Sequence, residues 1–118
     1  MGKSQREKGA AGERELARVL RLYGYDSHRG QQHKGSPESP DVTGLPGIHI
    51  ECKRVEKLNL YDAMAQSKSD ADGWLIPVVM HRKNNCKWLV TMELSDWMEL
   101  YKEWEAGQNG LSDHQRDQ

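Results

Sequence analysis

The sequence predicts an α/β domain in which helices flank a mixed central β-sheet, in the order α-β-β-β-α-β-β-α. Three observations carry this expectation. Leu16, Val19, Leu20 and Tyr23 recur at i, i+3, i+4 and i+7, the stripe of an amphipathic helix. Residues 48–54, IHIECKR, alternate apolar and polar side chains after a Gly-Leu-Pro-Gly turn, as a strand of a hairpin does. Residues 75–81, LIPVVMH, form a nearly continuous apolar run with β-branched members, the composition of a buried central strand. Periods of 3.6 and 2 that interleave along one chain describe helices packed on a sheet.

Each element follows from its local chemistry. Residues 1–10 are polar and carry no periodic apolar face, so no regular element is expected before Ala11. The first helix spans 11–23 and Gly24 is placed to end it. Tyr25–Arg29 reads as a short strand, and Gly30–Ser39, GQQHKGSPES, as an exposed loop. Asp41–Thr43 and Ile48–Arg54 are the arms of the hairpin. In the second arm Ile48, Ile50 and Cys52 are expected to face the core and His49, Glu51 and Lys53 the opposite way. A second helix over 60–70 sets Leu60, Ala63, Met64 and Ser67 on one side. Strands at 75–81 and 88–91 flank the turn HRKNNCK. Leu94, Trp97, Met98, Tyr101 and Trp104 then repeat at helical spacing, which suits core packing or a subunit interface better than a base-stacking platform. Residues 1–106 are read as one domain and 107–118 as a disordered tail.

Composition narrows the function classes. The chain has 118 residues, 36% of them hydrophobic, and lacks Phe. No apolar run approaches the length of a membrane span, and MGKSQREKG is too polar for a signal peptide, so an intracellular, cytoplasmic protein without a membrane partner is expected. Cys52 and Cys86 stand alone and read as reduced thiols, and His28, His33, His49, His81 and His114 lack the spacing of a helical metal pair. The net charge of −1 conceals an asymmetry: residues 1–35 sum to +4 and residues 92–118 to −5. A basic N-terminal third suits an anionic partner, although a solvated helix face explains the same balance.

The residues that folding alone does not explain lie at the hairpin. Pairing its arms about Pro46 sets Val42 opposite Ile50 and Asp41 opposite Glu51. Opposed residues stand with Cβ atoms about 4.5–5.5 Å apart, a distance at which two carboxylates repel. Lys53 follows on the same face about 6.5–7 Å along the strand. Two carboxylates are what a hard divalent cation takes from a protein when water and phosphate supply its other ligands, and a lysine beside them can orient a water or meet charge on phosphorus. The same three residues also occur by chance in hairpins with scattered surface charges.

The spacing Pro40-Asp41…Glu51-Cys52-Lys53 resembles the PD-(D/E)XK nuclease motif. A second block, Lys8-Gly-Ala-Ala-Gly-Glu-Arg-Glu-Leu16 followed by Gly24-Tyr25 and Arg29, is similar to the opening of archaeal-type Holliday junction resolvases. The chain also resembles small phage and prophage proteins catalogued as endonucleases of that superfamily. The resemblance runs from about Lys8 to the strand at 75–81, while the loop at 30–39 and the C-terminal third depart from the pattern. It implies a restriction-endonuclease-like core, Mg²⁺ or Mn²⁺ as cofactor, no nucleotide cofactor, DNA as partner and a homodimer. Asp41 and Glu51 correspond to the metal ligands, Lys53 to the catalytic lysine and Glu13 to a helix glutamate that supports the metal site. Arg14 and Arg29, with Lys8, correspond to residues that hold DNA phosphates, and Gln66 to an accessory glutamine. Lys34, Arg54 and Lys57 are candidate backbone contacts by position only.

The implied activity is metal-dependent cleavage of DNA phosphodiester bonds, in branched DNA or in other phage or replication structures. A non-catalytic DNA-binding or assembly module of the same fold is the alternative. A protein-interaction domain built on the Trp-rich final helix is a third reading.

Overall fold

A computed structural model describes residues 2–30 and 40–116, with side chains from residue 7 to residue 110. Helix α1 spans Gly2–Leu22, strand β1 Ile48–Arg54 and helix α2 Leu60–Asp70. Strands β2, Ile76–Arg82, and β3, Leu89–Met92, follow, and helix α3, Leu94–Arg116, closes the order.

The apolar run anticipated as a central strand does occupy the centre of a three-stranded sheet ordered β1-β2-β3. β1 lies parallel to β2 in the register Ile48↔Ile76 to Arg54↔Arg82, and β3 returns antiparallel with Val78↔Met92 and His81↔Leu89. A parallel pair needs a crossover, and α2 supplies it. The Asn59 side chain caps α2 by accepting from the Asp62 N–H at 3.1 Å. Its buried face is Ala63, Met64 and Ser67, and Ser67 Oγ donates to the Val78 carbonyl at 2.9 Å.

The two helices cover opposite faces of the sheet. Leu16 and Ala17 of α1 pack with Val42, Ile50, Cys52, Val78 and Met80, whereas Ala63 and Met64 of α2 pack with Val79. The alternation of β1 is as expected, with Ile50 and Cys52 toward α1 and Glu51 on the other face, but α2 covers that face too, and His49 and Glu51 are only 1% and 3% exposed. A parallel pair with helices on both faces buries both sets of alternating side chains.

Four element boundaries also differ from expectation. Residues 25–29 and 41–43 make isolated bridges, Arg29↔Val42 and Val42↔Ile50, rather than strands, so the order is α-β-α-β-β-α. α1 begins at Gly2 rather than Ala11, and residues 107–116, expected to be disordered, continue α3. Trp97, Tyr101 and Trp104 do not fill the core: they are 48%, 37% and 59% exposed. Residues 31–39, and with them Lys34 and most of the anticipated loop, lie outside the described residues, as do 117 and 118. Among the described residues no helix is long and apolar enough to cross a membrane.

Candidate active site

The site begins with a turn. Gly44 and Gly47 sit at φ 116° and 90°, backbone that a side chain would strain, and a Cβ on Gly44 would stand 2.6 Å from Ser27 Cα. The reversal sets Val42 opposite Ile50, in the register anticipated from symmetry about Pro46. The Asp41 N–H donates to the Ile50 carbonyl at 2.9 Å, and the Cys52 N–H donates to Asp41 Oδ2, also at 2.9 Å. Asp41 is thereby fixed beside Glu51, and the two carboxyl groups share a side-chain hydrogen bond. Lys53 Nζ stands 3.6 Å from Glu51 Oε1.

Burial sets the electrostatics of this trio. It pushes the Glu51 carboxyl up to about 8; the charge of Asp41 adds to the rise and Lys53 opposes it. Burial also raises Asp41, against the Cys52 N–H and Lys53. A buried carboxylate needs a compensating charge or a proton. Both acids are thus raised, and the hydrogen bond between them favours one proton held by the pair.

α1 reaches the same place because Gly12 lets it. A Cβ at residue 12 would lie 2.5 Å from Arg54 Cβ, so only a glycine permits the helix to approach β1 this closely. The next residue, Glu13, is 8% exposed, and Arg29 Nε donates to its Oε1 at 2.6 Å. Burial raises the Glu13 pKa, Arg29 lowers it, and the charge of Asp41 raises it again, so the helix acid and the hairpin acid share one field.

Glu13, Asp41, Glu51, Lys53, Gln66 and Lys8 line one cleft of about 800 Å³. The other anticipated residues fall differently. Arg29 is engaged with Glu13, Arg14 is exposed outside the cleft lining, and Lys57 is exposed. Arg54 is no free surface contact. Its Nε donates to Glu15 Oε2 at 3.3 Å and its NH2 to Asn84 Oδ1 at 3.1 Å, while Arg82 also pairs with Glu15. Glu15, Asn84 and Arg82 were not singled out in the sequence. They come from two distant segments, α1 and the end of β2 with its following turn, and only the second acid of the Glu-Arg-Glu triplet hints at them. His49, two residues before Glu51 on β1, is buried, and neither ring nitrogen has a hydrogen-bond partner among the described residues. Burial holds it neutral.

A divalent cation fits the donor set. Among the described residues no group of three or more His, Cys, Asp or Glu forms a complete cage. Two adjacent carboxyl groups, Asp41 and Glu51, are the number of protein ligands that Mg²⁺ takes when water and phosphate oxygens complete its shell.

A family model described as archaeal Holliday junction resolvase (Hjc) matches residues 4–69. The chain belongs to this resolvase family. It is accordingly a Holliday junction resolvase-like nuclease, of a family whose enzymes depend on a divalent metal. A solved structure agrees with that assignment. Hjc from Archaeoglobus fulgidus, a Holliday junction resolvase from an archaeal hyperthermophile, is 25% identical, with 72% of each chain covered and a TM-score of 0.54. No curated protein matches the chain. The Hjc match ends at residue 69, so it contains Lys8, Glu13, Arg14, Arg29, Asp41, Glu51, Lys53 and Gln66, whereas β2, β3 and α3 follow it.

Proposed function

We propose that this Hjc-family protein cleaves phosphodiester bonds of branched DNA, with Asp41 and Glu51 holding a divalent cation, Mg²⁺ or Mn²⁺. The observation that carries this reading is the convergence of Asp41, Glu51 and Lys53 in one cleft, with Lys53 Nζ 3.6 Å from Glu51. When bound, the cation supplies an acidified water and charge compensation for the phosphate.

The chain's own residues do the rest. Asp41, fixed by the Cys52 N–H, and Glu51 beside it would hold the cation between them. Lys53 orients the attacking water and offsets the negative charge that builds on phosphorus as the water approaches in line with the leaving oxygen. Glu13, steadied by Arg29, supports the ligand pair from α1. Lys8, on the same cleft, and Arg14, exposed on α1, hold phosphates beside the scissile one. Gln66 faces the cleft from α2 as an accessory polar group. Paired incision of a four-way junction needs two sites, so the active form is a two-fold homodimer.

Incubation with a four-way junction, a flap and a linear duplex, in Mg²⁺ and in EDTA, tests the reading. The junction is cut in Mg²⁺, spared in EDTA, and spared by Asp41→Asn, which still binds it. Preferential cutting of the flap or duplex would keep the chemistry and change the substrate. Binding without cleavage, indifferent to Asp41→Asn, would leave a DNA-binding module.

A further inference from the structure

α3 carries an apolar face that no described part of the same chain covers. Leu94, Trp97, Met98, Leu100, Tyr101 and Trp104 are between 36% and 73% exposed. The helix has 23 residues and makes no extensive contact with any other element, and the molecule is correspondingly long, 63 Å by 29 Å by 25 Å. A helix of that length does not hold itself together by propensity in water. It is stabilised by packing its apolar face on something.

Three observations say what that something is. First, Leu94, Trp97, Tyr101, Trp104 and Gln108 recur at alternating intervals of three and four, the seam of helices that pair side by side. Second, the face is preorganised: the Trp97 and Tyr101 rings stack at 5.3 Å and 10°, and Tyr101 and Trp104 follow at 5.6 Å. Rings already held in place lose little freedom on association. Third, the six exposed residues together present on the order of 600 Å² of surface, near the roughly 800 Å² per partner of a standard interface. The apolar groove between α2 and β3, bounded by Leu60, Met64, Met92 and Leu94, continues the face at its base. Charge excludes DNA as the occupant, because Asp96, Glu99, Glu103 and Glu105 outnumber Lys102 along the same helix.

We infer that this face binds the same face of a second copy of the chain, so that α3 is the dimerisation helix. A two-fold axis makes one patch its own complement, and each stacked ladder then packs on the other. The inference deepens the homodimer part of the proposed function and is independent of the chemistry at Asp41 and Glu51. α3 lies outside residues 4–69, which the resolvase family model matches.

Sedimentation equilibrium on the wild type and on the double variant Trp97→Ala/Trp104→Ala tests it, with far-UV circular dichroism as the folding check. The wild type sediments as two chains, and the folded variant associates more weakly by on the order of 100-fold or more. Hydrogen exchange on the wild type alone, at low and high micromolar concentration, supplies a reading that needs no variant. Protection that rises with concentration falls on residues 94–108. A wild type that stays a single chain overturns both the helix assignment and the dimer. A variant that remains dimeric, or concentration-dependent protection elsewhere, overturns the α3 assignment alone. Junction cleavage by the wild type in any of these cases leaves the nuclease reading standing.

Discussion

Val42 faces Ile50 across a single antiparallel bridge, and this contact carries Asp41 to Glu51. Both apolar residues are fully buried, and each contributes about 1.5–3 kcal/mol by leaving water. That gain holds two carboxyl groups together that would otherwise separate. The acids are therefore placed by the fold rather than by mutual attraction, and their ionisation is where the strain shows.

The metal-free protein should lose stability as pH rises. Glu51 titrates at about 8 when folded and at 4.5 when unfolded, so between those values the folded chain holds the extra proton. Its contribution is complete below pH 4.5 and is lost as pH rises through about 8. Asp41 and Glu13 shift in the same direction. His49 and His81, held below their usual value of 6.5, act in the opposite sense, so the wild type is best compared with Glu51→Gln. Thermal midpoints in EDTA should fall more steeply with pH for the wild type than for that variant.

Metal uptake should release protons. A cation displaces the proton that Glu51 shares with Asp41, so affinity for Mn²⁺ rises with pH toward about 8. Calorimetry in two buffers of different ionisation enthalpy measures this. Near neutral pH the wild type releases more protons per ion than Glu51→Gln, in which only Asp41 remains to titrate.

Two glycines of α1 should respond to alanine with opposite signs. Gly9 has open space around it, so Gly9→Ala gains about 0.5–1 kcal/mol of helix stability. Gly12→Ala has the same propensity gain, but its Cβ would meet Arg54 Cβ at 2.5 Å. Forcing the helix off β1 costs about 1–3 kcal/mol, which outweighs the gain. The same displacement moves Glu13, so junction cleavage falls by at least about tenfold. Urea unfolding and a cleavage time course on the two variants decide it.

Arg29 and Glu13 should be energetically coupled. Arg29→Ala leaves a buried acid without its partner and costs about 1–3 kcal/mol. Adding Glu13→Gln removes the uncompensated charge and recovers part of the loss. A double-mutant cycle in urea should give a coupling of about 1–3 kcal/mol. Additive effects would make Arg29 a DNA contact alone.

Parts of this architecture were legible in the sequence because local chemistry dictated them. α2 spans Leu60–Asp70 as anticipated, with the same inward Ala63, Met64 and Ser67, since Asn59 caps it and its stripe is periodic. The hairpin register was legible because Gly44, Pro46 and Gly47 leave one compact way to turn. What escaped depended on neighbours. Residues 2–10 extend α1 without an apolar face for periodicity to detect, although Lys, Arg, Glu and Ala favour helix. The burial of His49 and Glu51 follows from α2 lying across them, which alternation along β1 does not encode. The family resemblance makes Arg29 a phosphate contact, and its engagement with Glu13 depends on the fold that joins residues 16 apart.

The most direct measurement is the anomalous scattering of crystals soaked in Mn²⁺. A peak within coordinating distance of both an Asp41 and a Glu51 carboxylate oxygen, with Lys53 Nζ beside it, is the predicted result. A cleft without a peak while Mn²⁺ supports junction cleavage, or a peak bound by other side chains, would contradict the account.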